Sequence, residues 1–186
     1  MLAREVIASG HDAGQFGWQL EARAWQLGFP AADRQAFVAD GSKTNWSLQR
    51  KHFPRAVPIV DLMHALSYAW AAAAAVEGAS YRQWAEWIWR GEVSRVIADL
   101  AEHQERLGRP PPEAPSHDPR QRVDRALTYY RNNRERMNYP EYRRLGLPLT
   151  SSHIESTIKQ INQRIKGSEK FWRRVSGEAV LQLRAD

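Results

Sequence analysis

The sequence has 186 residues, 42% of them hydrophobic, with eight tryptophans, which suits one domain with a real core and excludes a disordered tail as the main reading. A formal charge of +6 and a pI near 9.9 favour an anionic partner, nucleic acid first, although an arginine excess is also common on solvated helices. With no cysteine, disulfides and thiolate zinc sites are excluded.

The N-terminus Met-Leu-Ala-Arg-Glu lacks a signal peptide's apolar core, and the longest apolar run, Tyr68 to Val76, is too short to span a bilayer. A cytoplasmic protein with no membrane partner is expected. Gly10 and Gly14 interrupt the first residues, and Asp12, with Gln15 three positions on, marks a helix start. That helix should run to about Leu27, with Phe16, Leu20, Ala24 and Leu27 on one face and Gly28 ending it. Gln35 to Asp40 is a short apolar run that stops at Asp40-Gly41, as a buried strand ending in a turn would. A helix from about Thr44 to Lys51 follows, then a second apolar run, Ala56 to Asp61, then an alanine-rich helix from Leu62 to Glu77. Strand, helix, strand at this spacing reads as a βαβ unit with parallel strands, so the fold class is α/β but mostly helical. Pro58 cannot donate to a ladder and places the second strand at an edge.

From Tyr81 to about Leu107 the spacing predicts helix, with Trp84, Ile88, Val93, Val96, Ile97 and Leu100 on the buried side and Gly91 as a possible break. The proline-rich stretch Arg109 to Pro119 reads as a stiff, exposed linker. Arg120 to about Asn138 is a further expected helix, packing Val123, Leu127, Tyr130 and Met137 and ended by Tyr139-Pro140. After Gly146-Leu-Pro148, Ser152 and Glu155 form a capping-box pattern. Ile154, Ile158, Ile161 and Ile165 then give an apolar stripe. Beside it Glu155, Lys159, Asn162 and Lys166 form a polar face that runs on to Lys170, Trp172, Arg173 and Arg174. Gly177 to Arg184 reads as a last short helix. Two parallel strands form a marginal sheet. Further strands are expected from another chain or from a longer protein of which this is the C-terminal piece, and the second is favoured.

Asp40 and Asp61 both stand where a parallel strand ends, the edge at which ligand and catalytic groups gather in open α/β sheets. Glu155 is a third candidate, from a helix. Carboxylates without cysteine are hard oxygen donors suited to Mg²⁺ or Mn²⁺. Each also has an ordinary reading: Asp40-Gly41 as a turn, Asp61 as a helix cap, Glu155 as a capping-box residue. His64, three residues after Asp61, suits a hydrogen-bonded or metal-binding pair, or a satisfied core histidine. The cations after Glu155 would suit a phosphate backbone, and Trp172 a base or the core.

Three blocks carry a resemblance: Phe37-Val-Ala-Asp-Gly, Phe53-Pro-Arg-Ala and Ile59-Val-Asp-Leu-Met-His64. So does the later series Tyr139-Pro-Glu-Tyr, Gly146-Leu-Pro-Leu-Thr-Ser-Ser-His-Ile-Glu-Ser, Arg164-Ile-Lys-Gly-Ser, Trp172 and Leu183-Arg-Ala. Together they resemble the DDE transposases of bacterial insertion sequences, in the Mutator-like branch, with the order and spacing of the Kra-type family. The resemblance implies an incomplete ribonuclease-H-like fold with an all-helical insertion. Residues 1–78 would hold the C-terminal half of that core, 79–138 the insertion, and 139–186 the glutamate helix and basic tail. It further implies metal-dependent DNA strand cleavage and transfer with Mg²⁺ or Mn²⁺. Asp40 and Glu155 would be catalytic metal ligands, and Asp61 and His64 the accessory pair supporting them. Lys159, Arg164, Lys166, Lys170, Trp172, Arg173 and Arg174 would meet DNA. The family's first catalytic aspartate has no counterpart here, so the chain alone is expected to be inactive. Its partners would be DNA and either another copy or an upstream transposase segment. The rival reading is a non-catalytic remnant that binds DNA or another transposase chain.

Overall fold

In the computed structural model of the chain, residues 5–151 are described. Asp12 caps the first helix, α1 (Ala13–Gln26), by accepting the Gln15 amide at 2.9 Å. The chain leaves it through Gly28, whose φ of 75° is open to glycine at no steric cost, and makes a short 3-10 turn at Phe29–Ala31. Strand β1 (Ala36–Ala39), helix α2 (Lys43–His52) and strand β2 (Val57–Val60) follow as the sequence predicts. Val57 N–H donates to Gln35 O at 2.9 Å and Asp61 N–H to Ala39 O at 2.7 Å, a constant offset that makes the strands parallel. Among the described residues the sheet has these two strands, so Pro58 sits on an edge strand.

Helix α3 (Leu62–Ala73) ends four residues before the expected Glu77. Its last amides turn to carbonyls three residues back, as in Ala75 N to Ala72 O at 3.0 Å, and Gly78 follows at φ 80°. The expected single helix after it is two, α4 (Tyr81–Trp89) and α5 (Val93–Leu107), divided at Gly91 with φ 74°. A Cβ at Gly91 would stand 3.1 Å from the Pro140 ring, so backbone geometry and close approach both select glycine there. Trp84, Ile88, Val93, Val96 and Leu100 are buried as their spacing predicts, and Ile97 is half-buried.

Helix α6 (Pro119–Asn133) starts on the Asp118 cap, which accepts the Arg120 amide at 2.8 Å. It stops at Asn133, earlier than the sequence suggests, and passes through a 3-10 turn at Arg134–Arg136. Tyr139-Pro140, expected to end that helix, instead opens another, α7 (Tyr139–Arg144). Proline is well placed in a first helical turn because the amide it lacks has no intrahelical acceptor there. Among the described residues no helix is long and apolar enough to cross a membrane.

The described residues fall into two compact units, neither a single run of sequence. The first holds the chain up to Gln35 together with Lys43–Val57, and the second holds Ala36–Ser42 and Pro58–Thr150. Within the first, α1 packs on α2 at Gly17, where a Cβ would lie 2.5 Å from His52 Nε2. His52 Nδ1 is 2.6 Å from Glu21 Oε2, and Trp18 meets the imidazole edge-on. Gln49 Nε2 donates to Phe53 O and Ala56 O, both at 3.1 Å, and so closes the turn after α2.

In the second unit α3 packs on α4 and α6, and α5 packs on α6. Ile59, Val60, Ala65, Ala69, Trp84, Ile88, Leu100, Leu127, Tyr130 and Tyr139 make its core. Burial is the first cause that pushes the Tyr129, Tyr130 and Tyr139 hydroxyls above their ordinary pKa. A pKa raised on folding contributes stability that is fully present below the unfolded value of about 10 and is lost as pH climbs toward the folded value. The thermal midpoint should therefore fall as pH rises above about 10, and the triple variant Tyr129→Phe, Tyr130→Phe, Tyr139→Phe should lose part of that slope.

Candidate functional site

Parallel pairing brings the carboxyl ends of β1 and β2 side by side within the second unit, each followed at once by an aspartate. Asp40 is exposed, and its Oδ1 accepts the Ser42 amide at 2.8 Å, closing a side-chain turn over Gly41. Asp61 is fully buried, and its Oδ1 accepts the amides of Met63 at 2.7 Å and His64 at 3.2 Å. The turn and cap readings of these two residues are thus observed, at the sheet edge where a ligand site was expected. The bond between Asp61 and His64 runs through the histidine's main-chain amide. His64 itself is half-buried in the first turn of α3.

Helix α6 closes on this edge. Tyr129 donates its hydroxyl to the main-chain oxygen of Asp40 at 3.0 Å, and its ring stacks on Tyr68 of α3 with centroids 3.9 Å apart at 11°. Tyr130 donates to Ala65 O at 2.6 Å, and Tyr139 of α7 donates to Val60 O at 3.1 Å. Burial holds the Tyr129 hydroxyl well above its ordinary pKa, and the nearby Tyr68, Asp40 and Asp61 add to the effect. It therefore remains a protonated donor at neutral pH. Gly41 has φ 97°, and a Cβ there would meet Tyr129 Cε2 at 2.7 Å and Asn133 Nδ2 at 3.0 Å. Buried Asn133 in turn donates to Tyr129 O at 3.0 Å.

Sequence reasoning assigned Tyr130 to the core and passed over Tyr68, Tyr129 and Asn133. The signal was the Tyr129-Tyr130 doublet: adjacent helical residues point about 100° apart, so two buried tyrosines in a row must meet two different surfaces.

The chain also returns to this edge near its described end. Leu62 N–H, one of the unpaired amides of a helix start, donates to Leu149 O at 2.8 Å. Leu149 stands six positions before Glu155 in sequence. Glu155 and the basic residues Lys159, Arg164, Lys166, Lys170, Arg173 and Arg174, with Trp172, lie outside the described residues.

Among the described residues no three His, Asp or Glu side chains gather as a metal-holding group. The donors fit a hard cation unevenly. Asp40 offers an exposed carboxylate whose Oδ1 is already oriented by an amide. Asp61 is buried and its Oδ1 is engaged in capping α3. No family model matches the chain, and neither curated proteins nor solved structures give a match.

Two substitutions test this architecture. Gly41→Ala should cost about 2 kcal/mol or more in urea denaturation, since it combines positive φ with a contact against Tyr129. Asp61→Ala should cost about 1–2 kcal/mol by loss of the cap, with Asp61→Asn much milder because an amide oxygen still accepts.

Proposed function

We propose that this chain is the C-terminal part of a DDE transposase of the Mutator-like, Kra-type group, acting on DNA in the cytoplasm. The observation that carries this reading is the pair of parallel strands whose carboxyl ends present Asp40 and Asp61 together. The Leu149–Leu62 bond supports it, because it ties the segment leading to Glu155 to the same edge. In this reading the two strands belong to an incomplete ribonuclease-H-like sheet, and the helices after Gly78 are its insertion. Asp40 and Glu155 would hold Mg²⁺ or Mn²⁺, which when bound polarises a phosphodiester and lowers the pKa of the attacking hydroxyl. Asp61, through the cap, and His64 keep the start of α3 in place beside Asp40. Lys159, Arg164, Lys166, Lys170, Arg173 and Arg174 would neutralise phosphates, and Trp172 would stack on a base or sugar. An upstream segment or a second copy would supply the remaining carboxylate, so the chain alone should bind DNA without cleaving it.

Paramagnetic Mn²⁺ titrated into the ¹⁵N-labelled chain should broaden the Gly41 and Ser42 amide signals, less so in Asp40→Asn and Glu155→Gln. Broadening indifferent to both substitutions would sink the metal-site assignment. DNA affinity should fall steeply with salt. Salt-dependent DNA binding with no metal effect and no response to either substitution would instead identify a non-catalytic DNA-binding module. Mg²⁺-dependent nicking by the chain alone, lost in Glu155→Gln, would overturn the incomplete site.

A further inference from the structure

Asp40 is the first residue beyond the paired part of β1, since Ala39 O is the last acceptor in the ladder with β2. The main-chain oxygen of Asp40 is taken by the hydroxyl of Tyr129, eighty-nine residues along the chain. That hydroxyl is itself held, because its ring lies flat on Tyr68 and its own carbonyl accepts from Asn133. On the other side of the same residue, Oδ1 is fixed by the Ser42 amide. Asp40 is therefore held at its carbonyl and at its carboxylate, and Gly41 leaves room for the Tyr129 ring.

We infer that Tyr129 is a positioning residue for the Asp40 carboxylate: its bond to the Asp40 carbonyl, braced on Tyr68, sets the rotation of the turn that aims the carboxylate. The inference rests on the transposase reading of Asp40 as a metal ligand. It adds a role for the helical segment, which through α6 controls the geometry of a ligand carried by the sheet. The stack on Tyr68 also makes the device depend on α3, so α3 and α6 must be docked before Asp40 is aimed.

The test uses the full chain and two isosteric variants. Tyr129→Phe keeps the stack and the packing on Gly41 but removes the bond to Asp40. Tyr130→Phe removes a comparable buried bond, to Ala65 O, away from the turn. Two readings are taken: the Mn²⁺ concentration that half-broadens the Ser42 amide, and hydrogen-exchange protection of the Gly41 and Ser42 amides. In Tyr129→Phe the Mn²⁺ concentration should rise about 3- to 10-fold and protection should fall by a similar factor, the span expected from one net hydrogen bond. Tyr130→Phe should leave both near wild type. Equal effects from the two variants, or none from Tyr129→Phe while the wild type responds to Mn²⁺, would overturn the inference and leave the transposase reading standing. Absence of any Mn²⁺ effect at Ser42 in the wild type would instead overturn that reading and the functional role of Tyr129 with it.

Discussion

Three tyrosine hydroxyls hold the second unit in register. Tyr129, Tyr130 and Tyr139 reach from α6 and α7 to the main-chain oxygens of Asp40, Ala65 and Val60. Those acceptors are the end of β1, the first turn of α3 and the end of β2. A buried carbonyl without a partner costs about 1–3 kcal/mol, so each bond makes the helical segment and the strand edge depend on one another. The rings serve as well: Tyr130 and Tyr139 are fully buried, so apolar burial and polar satisfaction come from the same side chains.

This dependence matters because the sheet is small. Two short parallel strands bury little by themselves, and a parallel pair needs cover. The described core is correspondingly helical, with Trp84, Ile88, Leu100, Leu127 and Tyr130 at its centre and the buried ends of β2 joining it at Ile59 and Val60. The strands contribute placement more than stability. They bring Asp40 and Asp61 to neighbouring positions at one end of the sheet.

At that edge, the two aspartates carry different structural duties. Asp61 caps α3 with one oxygen that accepts two amides. Asp40 closes its own turn with one oxygen while remaining exposed. The difference in burial separates two residues that look alike in sequence. One is locked into a helix start and the other keeps its carboxylate at the surface.

The sequence by itself determined the parallel strand–helix–strand unit, the caps at Asp12 and Asp61, the turn at Asp40-Gly41 and most of the buried face of α4 and α5. These follow from local rules: apolar period, oxygen acceptors at helix starts, and glycine where φ is positive. Local rules also explain the misplaced boundaries, since the alanines after Ala73 and the residues after Asn133 are good helix formers, and Pro140 reads equally as a stop or as a first turn. Only the tertiary structure decided that Tyr129 belongs to the Asp40 edge, that Tyr68 stacks beneath it, and that Leu149 meets Leu62. Those contacts join residues far apart in the chain, and a hydroxyl's choice among many carbonyls is settled by packing, which no periodicity encodes.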